Sequence, residues 1–164
     1  MLMLNVLLVM AVFLVSPSIA LSSELADRII VIKSERKLYL LSAGKVMREM
    51  SVSLGLRPDG DKQAEGDFRT PEGEYVLDRR NNSSSYFLSV GISYPNTTDR
   101  LDAENSGVSP GGQIMIHGLP NMPRHDFGYY GNVDWTDGCI AVSNSDMVDV
   151  WRLTELYTPI SILP

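Results

Sequence analysis

Residues 86–94 read Tyr86-Phe87-Leu88-Ser89-Val90-Gly91-Ile92-Ser93-Tyr94, with Tyr86, Leu88, Val90, Ile92 and Tyr94 set against Phe87, Ser89, Gly91 and Ser93. Alternation with a period of two is the side-chain pattern of a half-buried strand. Met50, Val52 and Leu54 alternate with Ser51 and Ser53 in the same way. Ile29–Ile32, Leu38–Leu41, Glu74–Leu77, Gln113–His117 and Ile160–Ile162 are short β-branched or apolar runs, and Ser42-Ala43-Gly44-Lys45 is a turn after the second. One helix stands out. Asn144 would cap it, Asp146 lies in its first turn, Met147, Val150 and Trp151 share a face, and Thr158-Pro159 bars its continuation. Many strands and one clear helix predict a mainly β fold, a β-sandwich or similar.

The chain has 164 residues, the size of one ordinary domain. Its 14 Lys and Arg against 20 Asp and Glu give a net charge of −6, which speaks against nucleic acid as a partner. The first twenty residues carry no charged side chain, and the apolar run Val6–Val15 leads to Pro17 and the small residues Ser18 and Ala20. That is the pattern of a secretory signal. We expect residues 1–20 to be a signal peptide, an uncleaved anchor being the alternative, and 21–164 to be the folded domain, with no stable membrane association once the signal is removed.

Two stretches, 55–73 and 120–137, are longer than ordinary connections, and loops of that length are usually functional. The first reads either as a solvated hairpin or as a functional loop. The second holds His125, Phe127, Tyr129, Tyr130 and Trp135, too many aromatic residues for a purely solvent-facing segment.

The chemistry converges on a lone thiol. Cys139 is the one cysteine of the chain, so no internal disulfide forms. It follows Thr136-Asp137-Gly138 and precedes the predicted helix. A thiol attacks as the thiolate and needs a base nearby. His117 ends an apolar strand and is followed by Gly118, a place from which a side chain projects into a cleft. The amides of Gly138 and Cys139 are candidate donors to a developing oxyanion. The alternative is a buried structural Cys and a core His. A zinc site built from His117, His125, Cys139 and one of Asp126, Asp134 or Asp137 has the right residue types but neither an H-E-x-x-H nor a C-x-x-C spacing.

Ile116-His117-Gly118 followed by Thr136-Asp137-Gly138-Cys139 resembles the signature of the L,D-transpeptidase catalytic domain of the YkuD type, in a Thr-Asp-Gly-Cys variant. Thr70-Pro71-Glu72-Gly73-Glu74-Tyr75 is similar to the segment that precedes the family's central strand. The likeness runs from about Asp27 to Pro164. It departs where Asp137 replaces the usual His and Ala141 the usual Asn or Arg. The resemblance implies an L,D-transpeptidase-like β-sandwich with one or two short helices and long active-site loops, a periplasmic or wall-facing location, and peptidoglycan stem peptides as substrate. No cofactor or metal is implied; a wall-attached protein is the alternative partner to stem peptides alone, and a monomer is expected. Carried over by position, Cys139 is the acylated nucleophile and His117 its base. The Gly118 carbonyl orients His117, and the Gly138 and Cys139 amides form the oxyanion hole. Asp137 either raises the thiol pKa or, turned away, orients a His. Arg69, Tyr94, Tyr129 and Trp135 are candidate substrate contacts. Crosslinking of tetrapeptide stems, hydrolysis (an L,D-carboxypeptidase, or an amidase releasing a wall-attached protein) and non-catalytic wall binding all remain compatible with these residues.

Overall fold

The computed structural model describes residues 24–164. The signal expected at 1–20 lies outside the described residues. Eight strands form one continuous sheet: β1 (Arg28–Ile32), β2 (Lys37–Ser42), β3 (Lys45–Ser51), β4 (Gly73–Asn81), β5 (Ser89–Ile92), β6 (Met115–His117), β7 (Ile140–Ala141) and β8 (Pro159–Leu163). Their spatial order is β3-β2-β1-β8-β4-β5-β6-β7. The β2–β3 connection is the expected tight turn, with Ala43 and Gly44 both at positive φ, the twist that suits a two-residue hairpin. β8 lies parallel to β1 and antiparallel to β4, and it joins the two halves of the sheet.

The mainly β architecture matches the pattern in the sequence, and the layers of the expected sandwich are two ends of one curled sheet. After β3 the chain returns to the opposite edge, where Ser53 bridges Ala141 and Gly55 bridges Thr136. This closes a half-barrel. Ile29, Leu38, Leu40, Leu77, Ile116, Ile140 and Ile160 are wholly buried inside it. Residues 52–55 therefore do not alternate as the sequence suggests; all four are buried, because both faces are covered.

The segment 86–94 is also shorter as a strand than its alternation predicts. Only Ser89–Ile92 pair, and all four are buried. Phe87 stands at φ +59 and the Tyr86 amide donates to Ser84 Oγ, so the chain bends before the strand begins. Three helices accompany the sheet among the described residues: α1 (Thr97–Asn105), α2 (Phe127–Tyr130) and α3 (Asn144–Leu153). α1 was not apparent from periodicity, since Ala103 is its one buried residue; a capping box of Asn96 and Asp99 starts it. α3 is the predicted helix, with Met147 and Val150 buried and Trp151 partly so. Its cap is Ser143, whose hydroxyl accepts from the Asp146 amide, rather than Asn144. Among the described residues no helix is long and apolar enough to cross a membrane.

The loop 55–73 is not a free hairpin. Lys33, 2% exposed, donates to the Gly60 and Thr70 carbonyls and pairs with Glu72 at 2.7 Å. Lys62, equally buried, donates to the Ala64 carbonyl and to Asp67 Oδ1 at 2.7 Å. Asp67 in turn accepts from the amides of Gln63, Ala64 and Arg69. Burial works against the Asp67 charge, but Lys62 and these amides outweigh it and hold the carboxyl at about 2.

Candidate active site

β6 ends at His117, in the interior of the curl. The imidazole Nδ1 lies 2.7 Å from the Gly118 carbonyl oxygen. An oxygen there accepts only, so Nδ1 carries the hydrogen and Nε2 is left with its lone pair. Tyr86 lies over the ring at 4.5 Å between centroids and Trp135 meets it edge-on at 5.5 Å. Burial pushes the His117 pKa down, and the hydrogen bond to Gly118 opposes this in part. The turn after His117 is fixed by Asn144, whose Oδ1 accepts from the Leu119 amide at 2.8 Å. Asn144 is thus occupied away from the helix cap that the sequence assigned to it.

Cys139 sits at the end of a tight turn built by Thr136. The Thr136 hydroxyl donates to the Cys139 carbonyl at 2.7 Å and accepts from the Gly138 amide at 3.1 Å. The Gly138 amide is therefore already engaged, which counts against it as an oxyanion donor. No hydrogen bond holds the Cys139 amide among the described residues, and it is the donor left beside the thiol. Gly138 has φ +129, and a Cβ there would lie 2.6 Å from the Arg69 carbonyl oxygen, so only glycine fits. The thiol Sγ points at the Gln113 carbonyl, 3.6 Å away. Burial raises its pKa; the Met115 backbone opposes this, the nearby Asp137 adds to it, and Lys62 and Arg79 work the other way. Asp137 is exposed, and its negative charge adds to the upward push on the thiol.

Cys139 and His117 line one cleft of about 510 Å³, with Tyr86, Gln113, Trp135 and Asp137 among its walls. A second cavity of about 620 Å³ shares Tyr86 and Trp135 with it and takes in Arg124, His125 and Tyr129.

A sequence profile described as the YkuD L,D-transpeptidase catalytic domain matches residues 26–162. The chain belongs to this family. The Escherichia coli K12 protein YafK, which carries an L,D-transpeptidase name, is 34% identical over 89 residues, 53% of this chain and 32% of its own. The solved structure of the helical cell shape determining protein Pgp2 from Campylobacter jejuni is 28% identical, with a TM-score of 0.63 over 82% of this chain and 46% of that one. An L,D-transpeptidase from Mycobacterium smegmatis, 14% identical, shares the fold with a TM-score of 0.56 over 84% of this chain and 58% of its own. The matched part is about a third of YafK and about half of the solved relatives.

Two of the four polar or aromatic residues offered as candidate substrate contacts lie away from the cleft. Tyr94 is 6% exposed, donates to the Pro110 carbonyl and packs edge-on against Tyr75, so it is a core residue. The Arg69 guanidinium is tied to the Asp61 carbonyl and borders a separate hollow with Leu56 and Arg57; only its backbone reaches the Gly138 turn. Tyr129 lines the second cavity, stacked on His125 at 4.2 Å. Trp135 lines both. Among the described residues no group of three or more His, Cys, Asp or Glu is placed to hold a metal ion. His117 and His125 border different cavities, as a shared zinc site would not have them.

Proposed function

We propose that the chain is an exported, periplasmic or wall-facing L,D-transpeptidase that acts on peptidoglycan tetrapeptide stems through a Cys139 thioester. The observation that carries this reading is the shared cleft, where a thiol, an imidazole with Nε2 free and an unengaged Cys139 amide come together. The shifts of the two groups favour a neutral resting pair, so the proton leaves Cys139 for His117 Nε2 as attack on the carbonyl begins. The sulfur bonds to the carbonyl carbon at the L-centre of the third stem residue. The oxyanion gathers on the Cys139 amide. His117 then protonates the departing D-alanine amine as the C–N bond breaks, leaving the thioester. An amine from a second stem completes a crosslink and restores the thiol.

The test is to incubate the purified protein with tetrapeptide muropeptides and weigh both products and protein. Crosslinked dimers with a transient adduct on Cys139 are the expected result, and Cys139→Ala should give neither. Wild-type rates in Cys139→Ala would refute the mechanism. Monomers shortened by one D-alanine would instead identify a hydrolase, and no adduct at all would point to a binding module.

A further inference from the structure

Ser89 is 1% exposed, and its hydroxyl is the buried side-chain polar atom without a hydrogen-bond partner among the described residues. A native interior rarely keeps such a group without use for it. Ser89 stands directly across from His117 in the β5–β6 ladder. The Gly118 amide bonds to the Leu88 carbonyl and the Ile92 amide to the Ile114 carbonyl, so Ser89 and His117 form the intervening pair without mutual backbone bonds. In antiparallel sheets this is the closer kind of pair, with Cα atoms about 4.5 Å apart and both side chains on one face. Both residues border the cleft that holds Cys139.

The imidazole presents the complementary deficit. Its Nδ1–H is held by Gly118, whereas Nε2 has no partner among the described residues. That suits a base, but once Nε2 takes the thiol proton the ring is a cation, almost fully buried, with one N–H unsatisfied. The other titratable side chains facing this cleft are Tyr86 from the preceding loop and Asp137 and Cys139 from the turn after Trp135. Ile140 and Ala141 of β7 bring none, and α3 contributes the neutral Asn144 on the Gly118 side.

We infer that Ser89 is a positioning residue for His117, its oxygen accepting the Nε2–H while the imidazole carries the second proton. The proton passes from sulfur to Nε2, is held by Ser89 Oγ during attack, and leaves for the amine nitrogen as the C–N bond breaks; the Ser89 hydroxyl keeps its own hydrogen. The inference rests on the stem-peptide reading for its place in turnover, but the side-chain pairing can be tested without substrate.

The chain has two histidines, so NMR titration of their ring protons resolves His117 with His125 as an internal reference. In Ser89→Ala we expect His117 to titrate at lower pH than in the wild type while His125 is unmoved. We also expect kcat on tetrapeptide stems to fall about tenfold, with KM within about twofold, as for loss of one hydrogen bond to a charged group. Ser89→Thr, which keeps the hydroxyl, should restore both. An unchanged His117 titration in Ser89→Ala overturns the inference. So does an equal shift in the Ala and Thr variants, or failure of both to fold, either of which would make the role one of packing. Absence of a Cys139 adduct in the wild type would refute the stem-peptide reading alone and leave the titration result standing.

Discussion

Replacing Asp67 by Asn removes the counter-charge of Lys62, whose side chain is 3% exposed. The carboxyl is held at about 2 against an ordinary 3.8, and a displacement of that size corresponds to about 2 kcal/mol of folding stability. Because the folded-state value is the lower one, this contribution is complete above about pH 4 and fades as the pH falls through about 2. At pH 7 the Asn variant loses it and also leaves a buried ammonium unpaired, a loss of about 3–5 kcal/mol in total. Urea unfolding followed by the fluorescence of Trp135 and Trp151 measures the gap between the two proteins. At pH 2.5 the gap should narrow by more than about 1 kcal/mol, since the wild type has surrendered most of the Asp67 contribution and other carboxyls titrate alike in both. A gap below about 1 kcal/mol at pH 7, or the same gap at both pH values, would refute the view that this pair clamps the loop 55–73.

Asp137→Asn removes the negative charge beside the thiol, so iodoacetamide should modify Cys139 several-fold faster at pH 8, while in the wild type the rate should still be climbing above pH 9 because the thiol pKa is raised. Gly138→Ala forces a Cβ to within 2.6 Å of the Arg69 carbonyl oxygen at a φ of +129, and a loss of about 2 kcal/mol or more in urea unfolding, with impaired acylation of Cys139, is expected. Gly118→Ala would set a Cβ 2.6 Å from Asn144 Oδ1 and 2.9 Å from Phe87; mass analysis should find slower acyl-adduct formation, since the carbonyl that holds His117 belongs to this residue.

The strands built on Ile29–Ile32, Leu38–Leu41 and Ile160–Ile162 were legible because β-branched runs bounded by turn residues have few other uses. His117 and Cys139 were legible because both are rare in this chain and each adjoins a glycine. What stayed hidden depends on direction rather than type. Tyr94 shares the alternation of Tyr86, yet one is core and the other lies over the His117 imidazole, and the bend at Phe87 that separates them leaves no mark in periodicity. Lys62 read as one charge among many in a polar loop; its burial follows from the fold around it. Ser89 and Asn144 are common residue types whose importance lies in what stands opposite them. α1 escaped because a helix with one buried residue has no apolar stripe, although Asn96 and Asp99 at capping-box spacing were there to be read.

The place of β8 bears on how the molecule comes to exist. Among the described strands it comes last in sequence yet stands fourth from the β3 edge of the sheet, and β1 has no neighbour toward β4 without it. The β1–β3 meander and the β4–β7 ladder meet at the far edge through the Ser53–Ala141 and Gly55–Thr136 bridges, and β8 lies between them, parallel to β1 and antiparallel to β4. Closing that long-range register is slow compared with forming either piece. The half-barrel around Cys139 is therefore incomplete until β8 has paired with both β1 and β4.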